Sequence, residues 1–305
     1  MCQPAEKPGA GRRPPRGDGG RAAALARRVP KLLALLFVAA QLGCASLPPP
    51  VEKPRSSAFA APQSTTLGRL VEAAAPRDSV SGFRLLIDGE DALASLLALA
   101  DHAERSLDVQ YYIVRDDASS RTILRRVHSA AARGVRVRML FDDLNTAQAD
   151  DSLLCLTRHP NIELRLYNPF PAGRFSTLTR VLASLTDIDR VNQRMHAKMF
   201  VADNALAVTG GRNLGDEYFV LSPSSNFVDL DLLVGGPVVP ALSRTFDQFW
   251  NDELAYPIEQ LVRRQPECEG PVAAQPATNE LVVPSGALAR ELADLRLELE
   301  WARAR

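Results

Sequence analysis

Apolar residues follow two alternating periods from residue 82 onward, and this alternation predicts helices and strands that take turns along the chain. Asp91 to Ala103 places leucines at helical spacing, whereas Ser106 to Val114 is rich in β-branched and aromatic residues. The pattern continues with helices over Ser119 to Arg133, Asp150 to Arg158 and Pro240 to Trp250, and with strands over Val135 to Phe141, Ile162 to Tyr167, Met199 to Ala202, Leu206 to Thr209 and Phe227 to Val234. Short connections between such elements imply parallel strands covered by helices. We therefore predict an α/β fold whose sheet is mainly parallel.

Segments with little periodicity flank this domain, which we place at residues 82–261. Residues 45–81 are rich in Pro, Ser and Ala, a composition that predicts a flexible tether. Residues 262–286 turn to Pro, Gln, Glu and Ala and predict a linker. Leucines at helical spacing over 287–305 predict a terminal helix, which we interpret as the start of a missing second half.

A basic N-terminal segment leads into the apolar run Leu32 to Leu42. That run has the length of a signal-peptide hydrophobic region and falls short of the roughly 20 residues that span a membrane. Gly43 and Cys44, followed by a Pro-rich stretch, resemble a bacterial lipoprotein signal, although Gln41 stands where leucine is usual. We predict a signal peptide over 1–44, Cys44 as the lipid anchor, and a place in the cell envelope facing the periplasm, with the outer membrane preferred. Ordinary secretion and a retained anchor stay open.

Charge and cysteine content narrow the class of protein. Lysine plus arginine number 36, as do aspartate plus glutamate, so there is no overall positive field of the kind that nucleic-acid binding uses. Cys155 lies in an apolar helical run and is expected to be a small buried thiol. A disulfide between Cys155 and Cys268 is allowed in an oxidising compartment and is not demanded. The cysteines show no metal-ligand spacing, and we expect no metal and no cofactor.

Residues 194–219 concentrate the chemistry of the chain. His196, Lys198 and Asp203 stand there in the spacing H-x-K-x4-D. In a strand, residues two apart point to the same face, so His196 and Lys198 would project together. Imidazole can act as a nucleophile or a general acid/base near neutral pH, and an ammonium group offsets charge on phosphoryl oxygens. The pair therefore predicts attack on a phosphate.

The glycine pair that follows predicts an anion site beside this pair. Gly210 and Gly211 allow a tight turn in which backbone N–H groups approach an anion, and Asn213 adds a neutral donor. Asp203 completes the catalytic motif, and we expect it to cap the hairpin between two strands. Its part would be to hold local structure.

Other polar and aromatic residues are weaker candidates. Asp142, Asp143 and Asn145 follow the end of a strand, where sites in parallel sheets tend to form, and they could equally cap the next loop. Tyr111 and Tyr112 share a strand, so one should face the core and the other solvent. We interpret the remaining histidines as surface or satisfied residues: His102, His128 and His159.

The spacing of the motif resembles the HKD motif of the phospholipase D superfamily. The segments FRLLIDGEDAL, RSLDVQYYIVRDD, GVRVRMLFDDLNT, HPNIELRLYNPF, GGRNLGDEYF and FVDLDLLVGGPVV also resemble the N-terminal half of bacterial cardiolipin synthases of the C type. The resemblance implies a phospholipase D-like fold, of which this chain holds one α/β repeat unit. It further implies metal-independent phosphatidyl transfer on a phospholipid at a membrane, in which one histidine forms a phosphohistidine and a second protonates the departing alcohol.

The resemblance also assigns roles to single residues. His196 would be the covalent nucleophile or its acid partner, and Asp229 would orient the histidine. Lys198 and Asn213 would bind phosphate together with the glycine pair.

The number of motifs leaves three interpretations open, because the superfamily site needs two and this chain carries one. The chain could be a transferase half that pairs with a copy of itself or with a second HKD-bearing chain. It could be a homodimeric phosphodiesterase of the endonuclease type, against which the balanced charge argues. It could also be an inactive, truncated half of a two-motif enzyme.

Overall fold

Helices and strands alternate along most of the computed structural model, which describes residues 53–76, 80–146, 149–170, 193–262, 266–268, 281, 283 and 286–302. The helices are α1 (Thr66–Ala74), α2 (Gly89–His102), α3 (Ala118–Ala132), α4 (Asp150–Leu156), α5 (Val238–Trp250), α6 (Ile258–Leu261) and α7 (Ala287–Ala293). The strands are β1 (Gly82–Leu86), β2 (Ser106–Ile113), β3 (Arg136–Asn145), β4 (Ile162–Tyr167), β5 (Met199–Ala202), β6 (Leu206–Gly210), β7 (Asp231–Gly235), β8 (Ala255–Pro257) and β9 (Glu300–Trp301).

The strands form one sheet in the order β8-β4-β3-β2-β5-β6-β7-β1-β9. β2, β3 and β4 pair in parallel, whereas the pairs at both sides of them are antiparallel. The α/β prediction is confirmed, but the mainly parallel sheet was wrong, because the sheet is mixed. Parallel neighbours need a long crossover, which is usually an α-helix. A short turn joins β5 to β6, and residues 211–230 between β6 and β7 contain no α-helix, so both pairs are antiparallel.

Helices cover both faces of the sheet and create two apolar cores. The larger core joins α1, α2, α3, α4 and α7 to one face, with side chains such as Leu99 and Ile123 fully buried. The smaller core joins α5 to the other face through Phe246 and Trp250. Each buried aliphatic or aromatic side chain of this kind contributes roughly 1.5–3 kcal/mol.

The predicted tether is ordered wherever the structure describes it. Residues 53–58, called here the N-terminal strap, lie along α5. The Lys53 ammonium donates to backbone carbonyls of the turn after α5, and the Trp250 indole N–H donates to the Ser56 hydroxyl over 2.9 Å. Further on, α1 buries Leu67 and Val71 in the larger core. The tether prediction was therefore wrong for residues 53–76, while 45–52 and 77–79 lie outside the described residues.

The strap covers two buried arginines. The Arg138 guanidinium, with no exposed surface, holds the Asp108 carboxylate through two hydrogen bonds of 2.7 Å and donates to the Ser56 carbonyl over 3.1 Å. Arg165 donates to the Pro54 carbonyl over 3.0 Å. Backbone carbonyls of the strap thus accept hydrogen bonds from both buried guanidinium groups, and such partners leave no periodic signal in the sequence.

The C-terminal helix is shorter than predicted. The α7 helix packs Leu288 and Leu292 into the larger core. The chain then turns, and β9 pairs with β1. The helix predicted over 287–305 is thus a helix followed by an edge strand within the described residues.

A disulfide joins Cys155 of α4 to Cys268, with an S–S distance of 1.97 Å. The sequence left this bond open and favoured a buried thiol at Cys155, so the structure corrects that expectation. Among the described residues, no helix is long and apolar enough to cross a membrane. The predicted signal peptide and Cys44 lie outside those residues.

Candidate active site

His196 and Lys198 lie together at the start of the β5–β6 hairpin. The Lys198 Nζ atom is 3.0 Å from His196 Nδ1 and 2.9 Å from the His196 carbonyl oxygen. The imidazole is exposed, whereas the lysine is only 7% exposed. Thr209 of β6 donates its hydroxyl to the Lys198 carbonyl over 2.8 Å and so fixes the backbone below the pair. The regular strand begins only at Met199, yet the two side chains meet as the spacing predicted.

Burial and charge set the protonation of this pair. Burial lowers the pKa of Lys198, and the carboxylates of Asp229 and Asp231 oppose that shift. Partial burial lowers the pKa of His196, and the neighbouring Lys198 charge lowers it further. Both effects favour the neutral form of the imidazole. When Lys198 is an ammonium and donates to Nδ1, the ring proton sits on Nε2.

The glycine pair serves close packing against the start of β7. A Cβ atom on Gly210 would lie 2.5 Å from the Leu230 carbonyl oxygen, and one on Gly211 would lie 1.9 Å from Asp229 Oδ1. The Gly211 N–H donates to the Leu230 carbonyl over 3.0 Å. The prediction of an anion-binding turn was thus wrong for the Gly211 N–H, because a strand neighbour already accepts it.

Asp229 lies beside the site without holding the histidine. Its carboxylate rests over Gly211 and accepts the Leu230 N–H over 2.8 Å. Among the described residues it makes no hydrogen bond to His196, so its orienting role stays a prediction.

Asn213 connects β2 to the loop after β6. Its side-chain oxygen accepts the Ile113 N–H over 3.0 Å, and its side chain also bonds the Tyr218 hydroxyl. The residue is 4% exposed. This arrangement gives Asn213 a structural part, and its predicted contact with phosphate stays a prediction.

Asp203 lies at the opposite end of the hairpin from the histidine. Its carboxylate accepts the backbone N–H groups of Glu104, Arg105 and Ser106 over 3.0, 2.7 and 2.9 Å. Asp203 and Asn204 adopt positive φ angles of 54° and 52°, which suit a tight hairpin turn. At roughly 3.3 Å per residue, the β5 strand separates Asp203 from Lys198 by about 16 Å. Asp203 holds structure, as expected, and does not belong with the catalytic pair.

Asp142 supports the chain just before the histidine, a part that the sequence only weakly suggested. It is fully buried at the last parallel pair between β3 and β4 and accepts the Met195 N–H over 3.0 Å. It also pairs with the Arg194 guanidinium at 3.2 Å. Burial raises its pKa from 3.8 to about 6, against the opposing effect of Arg194. The available signal was its place at the end of a parallel strand.

The other candidates from that strand end contribute less. Asp143 accepts the Phe170 N–H over 2.9 Å and so orders the following loop. The side chain of Asn145 lies outside the described part of the structure.

Tyr112 is a contact of the site that the sequence did not identify. Its ring centroid lies 4.6 Å from that of His196, with the rings tilted by 46°. The Lys198 Nζ atom lies 5.7 Å from the same centroid. Tyr111 is 3% exposed, so the expected division of the two tyrosines between core and surface holds, but the pairing of β2 with β5 was needed to place Tyr112 here.

The remaining histidines make contacts elsewhere. His102 pairs with the Ala98 carbonyl, and the His128 and His159 rings lie 5.2 Å apart. Among the described residues, no group of three or more His, Cys, Asp or Glu side chains could hold a metal ion.

Known proteins share this domain and its sequence. The family model described as "Cardiolipin synthase, PLD-like domain" matches residues 96–250, just over half of the chain. Cardiolipin synthase C of Escherichia coli (strain K12) is 45% identical over 172 residues, which are 56% of this chain and 36% of that protein. A cardiolipin synthase of Geobacillus kaustophilus (strain HTA426) is 30% identical over 176 residues, 57% of this chain and 33% of that protein. The chain thus spans about a third of the length of these relatives.

A solved structure adds a distant likeness. NucT from Helicobacter pylori overlaps 58% of this chain and 99% of its own at a TM-score of 0.42 and 19% identity. The family match over residues 96–250 defines a phospholipase D-like domain. The chain belongs to the family of cardiolipin synthase, phospholipase D-like domains.

Proposed function

We propose that the protein is a phospholipase D-type phosphatidyltransferase of the cardiolipin synthase kind, acting on phospholipid phosphodiesters. The observation that carries this proposal is the exposed His196 imidazole held 3.0 Å from the Lys198 ammonium. A nucleophile beside a fixed cation suits attack on an anionic phosphodiester, because the cation offsets the charge that develops on the phosphoryl oxygens. The membership of the family supports the same chemistry.

The proposed reaction has two displacement steps. A phosphoryl oxygen displaces Nδ1 as the acceptor of the Lys198 ammonium. The exposed ring then loses its Nε2 proton to water and takes one up at Nδ1, with Asp229 as the expected acceptor. The Nε2 lone pair then attacks phosphorus, the bond to the departing alcohol breaks, and a P–N bond forms. A second histidine donates a proton to the leaving oxygen and afterwards accepts one from the incoming alcohol, whose oxygen displaces His196. Water in place of the alcohol would give phosphatidic acid.

The proposed mechanism uses a second histidine, and of the four histidines of this sequence only His196 lies in the site. The described histidines other than His196 are engaged elsewhere in the fold, as His102, His128 and His159 show. We propose that a homodimer or a second HKD-bearing chain completes the site.

Lipid products test the activity. The purified full chain, in detergent with phosphatidylglycerol or phosphatidylethanolamine, is expected to yield cardiolipin or phosphatidic acid by mass spectrometry. His196→Gln should abolish the product, while the matched variant His102→Gln, outside the site, should retain it. Equal silence of wild type and His196→Gln would reject the proposal, and metal-free cleavage of DNA that depends on His196 would redirect it to an endonuclease.

Mixing tests the assembly. Adding increasing His196→Gln protein to a constant amount of wild type should lower the product yield if two copies share one site, because mixed dimers lack one histidine. Adding His102→Gln protein instead should not lower the yield. An unchanged yield in both series would reject the homodimer.

We further propose that the protein is exported to the cell envelope and lipidated at Cys44. The Cys155–Cys268 disulfide supports export, since such bonds persist in oxidising compartments. Mass spectrometry of the mature protein should find a lipid-modified N-terminus at Cys44 that Cys44→Ala abolishes. An N-terminus at Met1 would contradict this proposal.

A further inference from the structure

We propose that Tyr112 is a positioning residue of the site, whose aromatic ring holds the His196 imidazole and the Lys198 ammonium in one fixed relation. The proposal deepens the proposed function by naming what sets the geometry of the catalytic pair. The positioning role rests on the proposed function only in the experiments that measure lipid turnover.

The contacts of Tyr112 reach both members of the pair. Its ring lies against the imidazole at a centroid distance of 4.6 Å, within the range of favourable aromatic pairs. The Lys198 ammonium lies 5.7 Å from the same ring centroid, within the range of cation–π attraction. One side chain thus lies against both members of the catalytic pair.

Tyr112 lies next to an irregularity in the sheet, on the face of β2 opposite to that of Tyr111. β2 pairs regularly with β3 up to Tyr111 opposite Phe141, and the register then shifts, so that Ile113 lies opposite Asn145. The extra residues of this irregularity belong to β3, where 142–144 stand against Tyr112 alone, and such irregularities are frequent next to active sites. Tyr112 falls at the shift, whereas Tyr111, one residue earlier, stays in the core.

The imidazole needs such support because the sheet does not supply it. Residues 193–198 precede β5 and lie outside the regular strand. Within the described residues, the contacts of the His196 ring are with Lys198 at Nδ1 and with Tyr112 against the ring. These contacts leave the Nε2 side of the ring uncovered. Because the contact is made by the ring, phenylalanine should replace tyrosine and leucine should not.

Nuclear magnetic resonance of histidine-labelled full chain in detergent tests the proposal without substrate. The chain has four histidines, and His196→Gln assigns the relevant signals. Wild type should show a nuclear Overhauser effect between the Tyr112 and His196 rings and a ring-current shift of the His196 protons. Tyr112→Phe should retain the shift, and Tyr112→Leu should lose it.

The pH titration of His196 gives a second readout that a merely structural role would not move. Partial burial and the Lys198 charge both lower the pKa of His196, while Asp229 and Asp231 act on Lys198. Removing the ring exposes the imidazole and releases the lysine, so Tyr112→Leu should raise the pKa of His196. Tyr112→Phe should leave it unchanged.

Phe227→Leu is the matched control. It removes one ring of the tilted Tyr218–Phe227 pair, whose centroids lie 5.0 Å apart, and should leave the His196 signals as in wild type. Where lipid turnover is measurable, Tyr112→Leu should lower kcat by on the order of 10²-fold with a smaller change in KM, as misplacement of a catalytic group does.

Several results would overturn the proposal. One is a wild-type spectrum that lacks the nuclear Overhauser effect between the Tyr112 and His196 rings, a result that does not depend on any variant folding. Another is a Tyr112→Leu protein in which the His196 chemical shift and pH titration are those of wild type. A Tyr112→Phe protein that behaves like Tyr112→Leu would assign the effect to the hydroxyl group instead. A chain that is inactive on lipid but shows the predicted shifts rejects the proposed function and leaves the positioning role standing.

Discussion

The two ends of the β5–β6 hairpin place residues of one short motif in opposite environments. At one end the His196 imidazole is exposed and contacts Lys198. At the other end the Asp203 carboxylate has no exposed surface and accepts three backbone N–H groups from the turn before β2. The first end can meet a substrate, and the second cannot.

The difference shows that the H-x-K-x4-D motif combines two roles. His196 and Lys198 supply the chemistry, and Asp203 stabilises the fold. The β5 strand is long enough for Asp203 to reach the turn before β2 at one end while His196 lies beyond the other end of the strand. Loss of either end should therefore abolish activity for a different physical reason, which stability measurements can separate.

The largest effect is expected for Asp203→Ala. The substitution leaves three backbone N–H groups without their acceptor and puts alanine at a positive φ. The Ser106 N–H is buried and its loss costs about 1–3 kcal/mol, whereas the other two are partly buried and cost less. The free energy of unfolding should fall by about 4 kcal/mol in urea titration. Asp203→Asn, which keeps one acceptor oxygen and tolerates the backbone angle, should cost about half as much.

His196→Gln is the matched variant at the other end of the hairpin. Because the imidazole is exposed, the free energy of unfolding should change by less than about 0.5 kcal/mol. Equal losses of stability for Asp203→Ala and His196→Gln would contradict the division between the two ends.

A smaller loss of stability is expected for substitutions in the glycine pair, which lies beside the exposed end of the hairpin. Gly210→Ala drives a Cβ into the Leu230 carbonyl, a backbone group that cannot rotate away, and should cost about 1–3 kcal/mol. Gly211→Ala meets the end of the Asp229 side chain, which can rotate. It should cost less than about 1 kcal/mol and lower the pKa of Lys198 as the carboxylate moves away.

Urea titration and a pH titration of labelled Lys198 check the two glycine variants. A larger loss of stability for Gly211→Ala than for Gly210→Ala would contradict the assignment of the rigid neighbour to Gly210.

The most gradual effect should come from Asp142, which holds the chain before His196. Its pKa is raised to about 6 in the folded protein, so between about pH 4 and pH 6 the folded state binds this proton and the unfolded state does not. The stability that the bound proton contributes is therefore lost as pH rises through 6. A shift of about 2 pH units corresponds to at most about 3 kcal/mol.

Comparison with Asp142→Asn isolates this contribution, because the other raised carboxyls, Asp203 and Asp231, are present in both proteins. The difference in free energy of unfolding, wild type minus variant, should fall between pH 4 and pH 7. A constant or rising difference would contradict the raised pKa.

The sequence predicted those features that repeat along an element or lie close together in the chain. The α2 helix and the β4 strand follow from leucine periodicity and a bounded apolar run, and His196 beside Lys198 follows from a spacing of two. The sequence did not predict contacts whose partner comes from a distant segment, such as that of Tyr112 with His196. It also failed where a backbone group is the partner, as with the Leu230 carbonyl that accepts the Gly211 N–H. No local pattern encodes such contacts.

The N-terminal strap has a consequence for where the protein can be cut. A recombinant fragment starting at Gly82, the predicted domain boundary, would lose the Ser56 and Pro54 carbonyls that Arg138 and Arg165 use. It would also uncover the Trp250 indole, which is fully buried in the intact chain. Such a fragment should precipitate or unfold during purification, and the shortest soluble form should begin at or before Lys53.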